Sequence, residues 1–253
     1  MTSEALAGVF RSLRLYHGPD ARRAAMDKLY SEFLKPGDLA FDVGAHAGDR
    51  ISSFRRLGAR VIALEPQPKM LRALRLIHGQ DDKVRILPSA ASSALGWVTL
   101  HVNSANPTVS TASRAFIADA EGKAGWEGQT WDSEIRVPAV TLDRLIAAHG
   151  VPAFIKIDVE GYEDQVLLGL KTAVPALSFE FTTISRDVAL RSLARLESLG
   201  TYEFNVSFGE NQTLTLSSWV NAKSITSFIK DMSHEENSGD CYARLAGMGY
   251  TAA

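Results

Sequence analysis

The chain has 253 residues, of which 45% are hydrophobic, and a formal net charge of −2. That length and composition can bury one substantial core as a single domain, and the near-neutral balance gives no reason to expect a broad nucleic-acid footprint. Its one cysteine, Cys241, excludes an internal disulfide framework and a multi-cysteine metal site, and suits a reducing cytoplasm.

The opening stretch lacks a long apolar segment followed by a cleavage signature, and no apolar run approaches the roughly 20 residues of a bilayer span. The expectation is a cytoplasmic protein with no membrane span. Residues 1–35 read as a helical segment with an apolar stripe of Ala24, Leu29, Phe33 and Leu34, broken by Lys35-Pro36-Gly37-Asp38. "LAFDVG" is a strand running into a glycine turn, "DRISSFRRLG" a helix closed by Gly58, and "RVIALEP" a second strand. "PKMLRALRLIHG" is a helix, "VRILPSAAS" a third strand with its loop, and "GWVTLHVN" an additional strand.

Residues 103–134 show no periodicity and contain Trp126, Trp131 and Asn106-Pro107-Thr108. A connection this long is more often functional than idle, so the segment is expected to cover a ligand. Indole faces suit sugar or flat apolar rings, with core packing as the ordinary alternative. Beyond it, "VTLDRLIAAHG" is a helix, "AFIKIDV" a strand, "YEDQVLLGLK" a helix, "ALSFEF" a strand, and "DVALRSLARLESLG" a helix closed by Gly200. "YEFNVSF", the turn Gly209-Glu210-Asn211-Gln212 and "TLTLSSW" predict an antiparallel hairpin. From 221 to 253 the chain is a polar segment with a closing helix that docks on the domain or mediates self-association. The alternation predicts an α/β fold with a mostly parallel sheet, helices on both faces and an antiparallel hairpin at its end, over residues 36–220.

The turn "FDVGAHAGD" places Asp42, Gly44, His46 and Gly48 between a strand and a helix. Small residues allow a ligand close to the backbone. Glu65, at the end of the next strand, can accept both hydroxyls of a ribose. A dinucleotide fingerprint wants glycine where His46 stands, because pyrophosphate lies against that backbone. A sulfonium cofactor without phosphate tolerates a side chain there and favours carboxylates nearby, so S-adenosylmethionine is the expected cofactor and NAD(P) the alternative.

"FIKIDVEGYE" sets Lys156, Asp158 and Glu160 on alternate positions, a line of charge from the core to the edge where open sheets bind ligands. Lys156, the deepest, is expected to pair with a carboxylate. Asp158 meets the acceptor or the charged end of the cofactor. Glu160 holds the cofactor or caps the next helix, a role open also to Glu163. Glu180, ending the following strand, is a second acceptor-site acid or one half of an ion pair. His46 is a base or loop filler, and His17 and His101 are structural.

"DVGAHAGD", "ALEPQPKMLRAL", "PSAAS", "VTLDRL" and above all "IKIDVEGYEDQVLLGL" resemble the FkbM-type S-adenosylmethionine-dependent methyltransferases, over roughly residues 36 to 181. The resemblance implies a class I, Rossmann-like methyltransferase fold whose seven-stranded sheet has an antiparallel last strand. It also implies methylation of hydroxyls, and sometimes other groups, on sugars and natural products. Carried over by position, Asp42, Gly44 and Gly48 line the methionine end, Glu65 holds the ribose, Ser89 and Ala90 flank the adenine, and Asp158 lies near the methyl. His46 stands where relatives more usually carry asparagine.

The expected function is O-methylation of a small hydroxylated molecule, sugar or glycan, with Asp158 as the first candidate base and Glu180 or His46 next. A non-catalytic nucleoside-binding module on the same fold is the other reading. The spacing of Asp158, Glu160 and Glu180 carries no metal signature, so no metal ligand is assigned; Mg²⁺ held by these three to orient a diol is a minor alternative.

Overall fold

A computed structural model describes residues 3–16 and 20–248. Helices α1 (Ser3–Tyr16) and α2 (Asp20–Tyr30) lead to β1 (Leu39–Val43), α3 (Asp49–Arg56), β2 (Arg60–Leu64), α4 (Pro68–His78) and β3 (Val84–Leu87). Strands β4 (Ala90–Ala91) and β5 (Gly96–Val102), helix α5 (Arg114–Ala120), strand β6 (Ser133–Val140) and helix α6 (Leu142–His149) follow. The chain continues through β7 (Phe154–Ile157), α7 (Glu163–Leu168), β8 (Ala176–Thr182), α8 (Arg186–Leu199), β9 (Tyr202–Phe208), α9 (Ala222–Asp231) and β10 (Ser238–Leu245).

Seven strands form one sheet in the order β3-β2-β1-β7-β8-β10-β9. β3, β2, β1, β7 and β8 are parallel, and β10 is antiparallel to both its neighbours. This is the class I arrangement, and its last strand is the antiparallel one. Period-two alternation sorts the two faces. Leu39, Phe41, Val43, Ile155 and Ile157 pack with α6, α7, α8 and α9. Ala40 and Phe154 pack on the other face with Met26, Leu29 and Tyr30 of α2 and Ile51 and Phe54 of α3. Each large apolar side chain so buried contributes about 1.5–3 kcal/mol. Among the described residues no helix is long and apolar enough to cross a membrane.

Four expectations change. The N-terminal apolar stripe is Met26, Leu29, Tyr30, Phe33 and Leu34, whereas Ala24 is exposed, because α2 turns a different face inward and ends at Tyr30. The 103–134 segment is ordered into a 3₁₀ turn at Pro107–Val109 and α5, around a small core of Val109, Phe116, Ala120 and Trp126. Immediately after it comes β6, which pairs antiparallel with β5 and parallel with β4 in a second sheet. Pro138 sits inside β6, one residue before the β4 pairing begins at Ala139, so its missing N–H disturbs little of the ladder.

The largest change concerns the sheet's end. β9 meets "TLTLSSW" only in part: Thr215 N donates to Val206 O at 2.8 Å and Phe204 bridges Val220 just beyond it, while at Leu216 the Asn205 amide takes the place of a ladder. Its Oδ1 accepts from Leu216 N at 3.0 Å and its Nδ2 donates to Leu216 O at 2.9 Å. The antiparallel partner of β9 is β10, inserted between β8 and β9. The segment after 221, expected to lie beyond the domain as a polar tail with a closing helix, therefore supplies α9 and a central strand of the sheet. The hydrophilic run "SHEENSGD" hid that strand.

Candidate active site

The carboxyl ends of β1, β2, β7 and β8 meet at one rim. Beyond β1 the chain doubles back through Gly44, His46 and Gly48, all at positive φ (86°, 43° and 81°). Gly44 N and Ala45 N donate to Leu64 O at 3.0 and 2.9 Å, tying this turn to β2. A Cβ on Gly44 would run into the Asp158 carbonyl, so glycine is what lets the β1 and β7 loops touch. Glu65 closes the turn, accepting from His46 N at 2.8 Å and from Gln67 N at 2.7 Å. It is 2% exposed, and burial pushes its carboxyl up to about 7 against these two donors.

Asp42, Gly44, His46, Glu65, Ser89, Ala90, Asp158 and Glu160 all line one cleft of about 860 Å³ at this rim. Gly48, expected beside them, does not line it. A Cβ there would meet Leu74 and His78, and its carbonyl lies 3.1 Å from His78 Nε2, so this glycine serves the packing of α3 on α4. Asp42 is 2% exposed and its Oδ2 has no hydrogen-bond partner; burial, then Asp49, pushes its carboxyl up to about 7. His46 Nε2 is likewise buried without a partner, and burial takes the imidazole down to about 4. It is therefore neutral at pH 7 and a weak base. The ring lies edge-on to Tyr16 of α1, 5.4 Å between centroids.

A second compartment of about 820 Å³ adjoins the first. Asp158, Glu160, Tyr16, Arg50 and Thr108 border both. Lys156, 1% exposed, donates to Asp240 Oδ1 at 2.5 Å and to Asp158 Oδ2 at 3.2 Å. Burial opposes the charge of this ammonium, but Asp158 and Asp240 outweigh it and hold the group protonated. Burial also opposes ionisation of Asp158, yet Lys156 and then Arg50 keep its carboxyl below the usual range. Glu180 forms no ion pair among the described residues, and its Oε2 is buried without a partner. Burial, with Asp158 and Glu160 nearby, pushes it well up. Glu160 behaves alike, raised by burial and by Asp158.

Glu163 is an acid in the first turn of α7 and ties down the preceding loop, accepting from Val159 N at 3.0 Å and Gly161 N at 3.3 Å. Glu160 makes no such bond and faces the cleft. His101 pairs with Glu134 at 3.1 Å across β5 and β6. His17 lies outside the described residues.

The cover comes from two segments. Thr108, Ser110 and Ala112 line the first compartment; Asn106, Trp126 and Gln129 line the second. Trp126 does both things expected of it, packing edge-on to Phe116 at 5.0 Å and facing the second compartment. Trp131 donates to Val109 O at 2.8 Å and steadies the 3₁₀ turn. Helix α1 crosses this cover at Gly8, where a Cβ would lie 3.1 Å from the Ala105 carbonyl.

Sequence reasoning missed Asp240, because β10 was not recognised, and it missed Tyr16, Arg50 and Glu210. Arg50 is 7% exposed and binds Asp49 at 2.6 Å and Glu210 at 3.2 Å. Only an acid beside an arginine at a helix start hinted at it.

No curated protein matches the sequence. Among solved structures, the precorrin-6Y C5,15-methyltransferase of Geobacter metallireducens is 13% identical, with 88% of this chain and 87% of that one covered and a TM-score of 0.46. A TehB-like S-adenosylmethionine-dependent methyltransferase of Corynebacterium glutamicum is 11% identical over 96% and 97%, with a TM-score of 0.48. An O-methyltransferase of Bacillus cereus, in complex with S-adenosylhomocysteine, is 9% identical over 97% and 92%, at 0.45. The sequence matches the methyltransferase FkbM domain over residues 42–225, from the first rim carboxylate into α9. The chain belongs to the FkbM family of S-adenosylmethionine-dependent methyltransferases.

Proposed function

We propose that the protein transfers a methyl group from S-adenosylmethionine to a hydroxyl oxygen of a small hydroxylated molecule or saccharide, in the cytoplasm. The observation that carries this reading is the position of Asp158. It is an ionised carboxylate on the border between the rim cleft and a second compartment lined by Trp126.

The cleft fits the cofactor on a specific feature: the buried Asp42 Oδ2 lacks a donor, and the ammonium of a methionine moiety supplies one. Gly44 leaves room for that end. Glu65 accepts one N–H on each oxygen and keeps a lone pair on each for ribose hydroxyls. Ser89 and Ala90 flank the adenine. Asp49, in the first turn of α3, puts an acid where a dinucleotide would lay its pyrophosphate, which opposes the NAD(P) alternative.

The bound cofactor supplies an activated methyl carbon. The protein aligns the acceptor oxygen with it, excludes water beneath the 103–134 cover, and removes the hydroxyl proton. Asp158 takes that proton, since Lys156 keeps it ionised and within reach of both compartments. Glu180 and Glu160, which hold protons more firmly, orient the acceptor. His46, with its imidazole at about 4, is too weak a base for the task.

Calorimetric titration with S-adenosylhomocysteine tests the cofactor site, and labelled methyl transfer to a panel of polyols, sugars and phenols tests the acceptor class. Asp158→Ala is expected to retain the homocysteine and lose turnover. Failure of the native chain to bind it would end the proposal. Binding with no transfer to any acceptor would favour the nucleoside-binding module.

A further inference from the structure

Where the two compartments meet, Asp158, Glu160 and Glu180 each bring one carboxylate oxygen within 4.8 Å of the others. They come from different places: the end of β7, the turn after it, and β8. Clustered acids in solvent would mean little. Here Glu160 is buried, and Asp158 and Glu180 are only partly exposed. Among the described residues Glu160, 7% exposed, accepts no hydrogen bond on its carboxylate, and Glu180 Oε2 is buried with no partner.

The neighbouring cations are already engaged. Lys156 divides its ammonium between Asp158 and Asp240, and Arg50 binds Asp49 and Glu210. A buried carboxylate with neither donor nor cation must neutralise itself or meet a ligand.

We propose that Asp158, Glu160 and Glu180 bind one divalent cation of the oxygen-preferring class, Mg²⁺, Mn²⁺ or Ca²⁺, with one oxygen from each. Oxygens around one Ca²⁺, at about 2.3–2.6 Å, lie at most about 5 Å apart, and around Mg²⁺ at most about 4.2 Å. Oxygens within 4.8 Å of one another therefore come close to the larger ion's shell, and reach the smaller one's after a modest inward movement of the side chains. Three carboxylates and no imidazole or thiolate select a hard ion over zinc or copper. The charges also agree. Asp158, Glu160, Glu180 and Asp240 face the Lys156 ammonium and Arg50, which Asp49 and Glu210 already engage, so negative charge remains in excess and favours a dication.

The ion's role, unlike the site itself, rests on the methyl-transfer reading. Its open positions face the second compartment, where it would draw an acceptor hydroxyl toward the cofactor and make that proton easier to lose. An acceptor with two adjacent oxygens would chelate it.

The test uses the full chain, stripped with chelator and titrated with Mn²⁺ by electron paramagnetic resonance in the presence of S-adenosylhomocysteine. One Mn²⁺ per chain is expected, displaced by Mg²⁺ or Ca²⁺. Glu180→Gln and Glu160→Gln should each weaken it by roughly 10–100-fold or more, while calorimetry still finds the homocysteine bound and so the fold intact. Absence of saturable Mn²⁺ binding at millimolar concentration, or binding indifferent to both substitutions, overturns the site. A chain that binds the homocysteine but no Mn²⁺ loses only the metal; one that binds neither loses the methyl-transfer reading too.

Discussion

Lys156 Nζ reaches Asp240 Oδ1, 2.5 Å away, across an intervening strand: β8 lies between them, with Ser178 the register partner of Lys156 and Glu180 that of Asp240. The pair binds the carboxyl half of the parallel sheet to the antiparallel strand that completes it. It also holds an ammonium under Asp158. A lysine in the middle of an apolar strand is thus accounted for by one partner six elements later in the chain.

Removing one member of such a buried pair leaves the other uncompensated, at a cost of about 3–5 kcal/mol. Asp240→Ala is expected to lose that much stability in urea denaturation. Lys156→Met should lose a comparable amount, because Asp158 and Asp240 then face each other without a cation. Losses under about 1 kcal/mol in both variants would show that the sheet does not depend on the pair.

The rim carboxylates predict a pH dependence with a definite sign. Burial, the largest cause in each, pushes Asp42 and Glu65 up to about 7 and Glu163 to about 8. Unfolded, such groups titrate near about 4. Between those limits the folded chain binds more protons than the unfolded one. Their contribution to stability is therefore full below about pH 4 and is lost as pH rises toward 8. Ligand binding works in the opposite direction. An ammonium at Asp42 and ribose hydroxyls at Glu65 favour the ionised forms, so binding should release protons, and affinity for S-adenosylhomocysteine should climb by up to about tenfold per pH unit per proton below pH 7. Calorimetry in two buffers of different ionisation enthalpy counts the protons, and a count of zero removes both residues from the ligand's contacts.

Gly44 and Gly48 look alike in sequence and differ in consequence. Alanine at either is strained, at φ 86° and 81°, by about 1–3 kcal/mol. At Gly44 the new methyl also displaces the Asp158 carbonyl, whereas at Gly48 it presses on Leu74 and His78. Denaturation should find both variants destabilised. Titration with S-adenosylhomocysteine should find binding lost only in Gly44→Ala. Equal loss in both would mean that the α3–α4 packing, not the β1–β7 approach, shapes the cleft.

These two glycines also mark where sequence was legible and where it was not. The first βα turn, Glu65, and the line Lys156, Asp158, Glu160 follow from local pattern, because strand period and turn chemistry are properties of adjacent residues. Gly48's packing role depends on α4, which adjacency cannot reveal. Asp240 was invisible for a related reason: β10 carries "SGDCYARL", a strand buried on both faces by neighbours far away in sequence, with no alternation of its own. The mistaken hairpin had a local cause, since Asn205 substitutes its side chain for a backbone ladder that the alternation of "TLTLSSW" would otherwise support.

His46 offers the sharpest division between a catalytic and a conformational role. Its φ of 43° belongs to the left-handed region, which asparagine adopts more readily than most side chains. What the turn requires of the residue is its backbone N–H, donated to Glu65 at 2.8 Å. The ring adds an edge contact to Tyr16 and a buried nitrogen with no partner. His46→Asn keeps the N–H, relieves the backbone and removes the orphan nitrogen, so stability should hold within about 1 kcal/mol. Affinity for S-adenosylhomocysteine should remain, and turnover should fall by less than about tenfold, far short of the roughly 10²–10⁴-fold expected for loss of a general base. A fall in that larger range, with binding intact, would transfer the proton from Asp158 to His46.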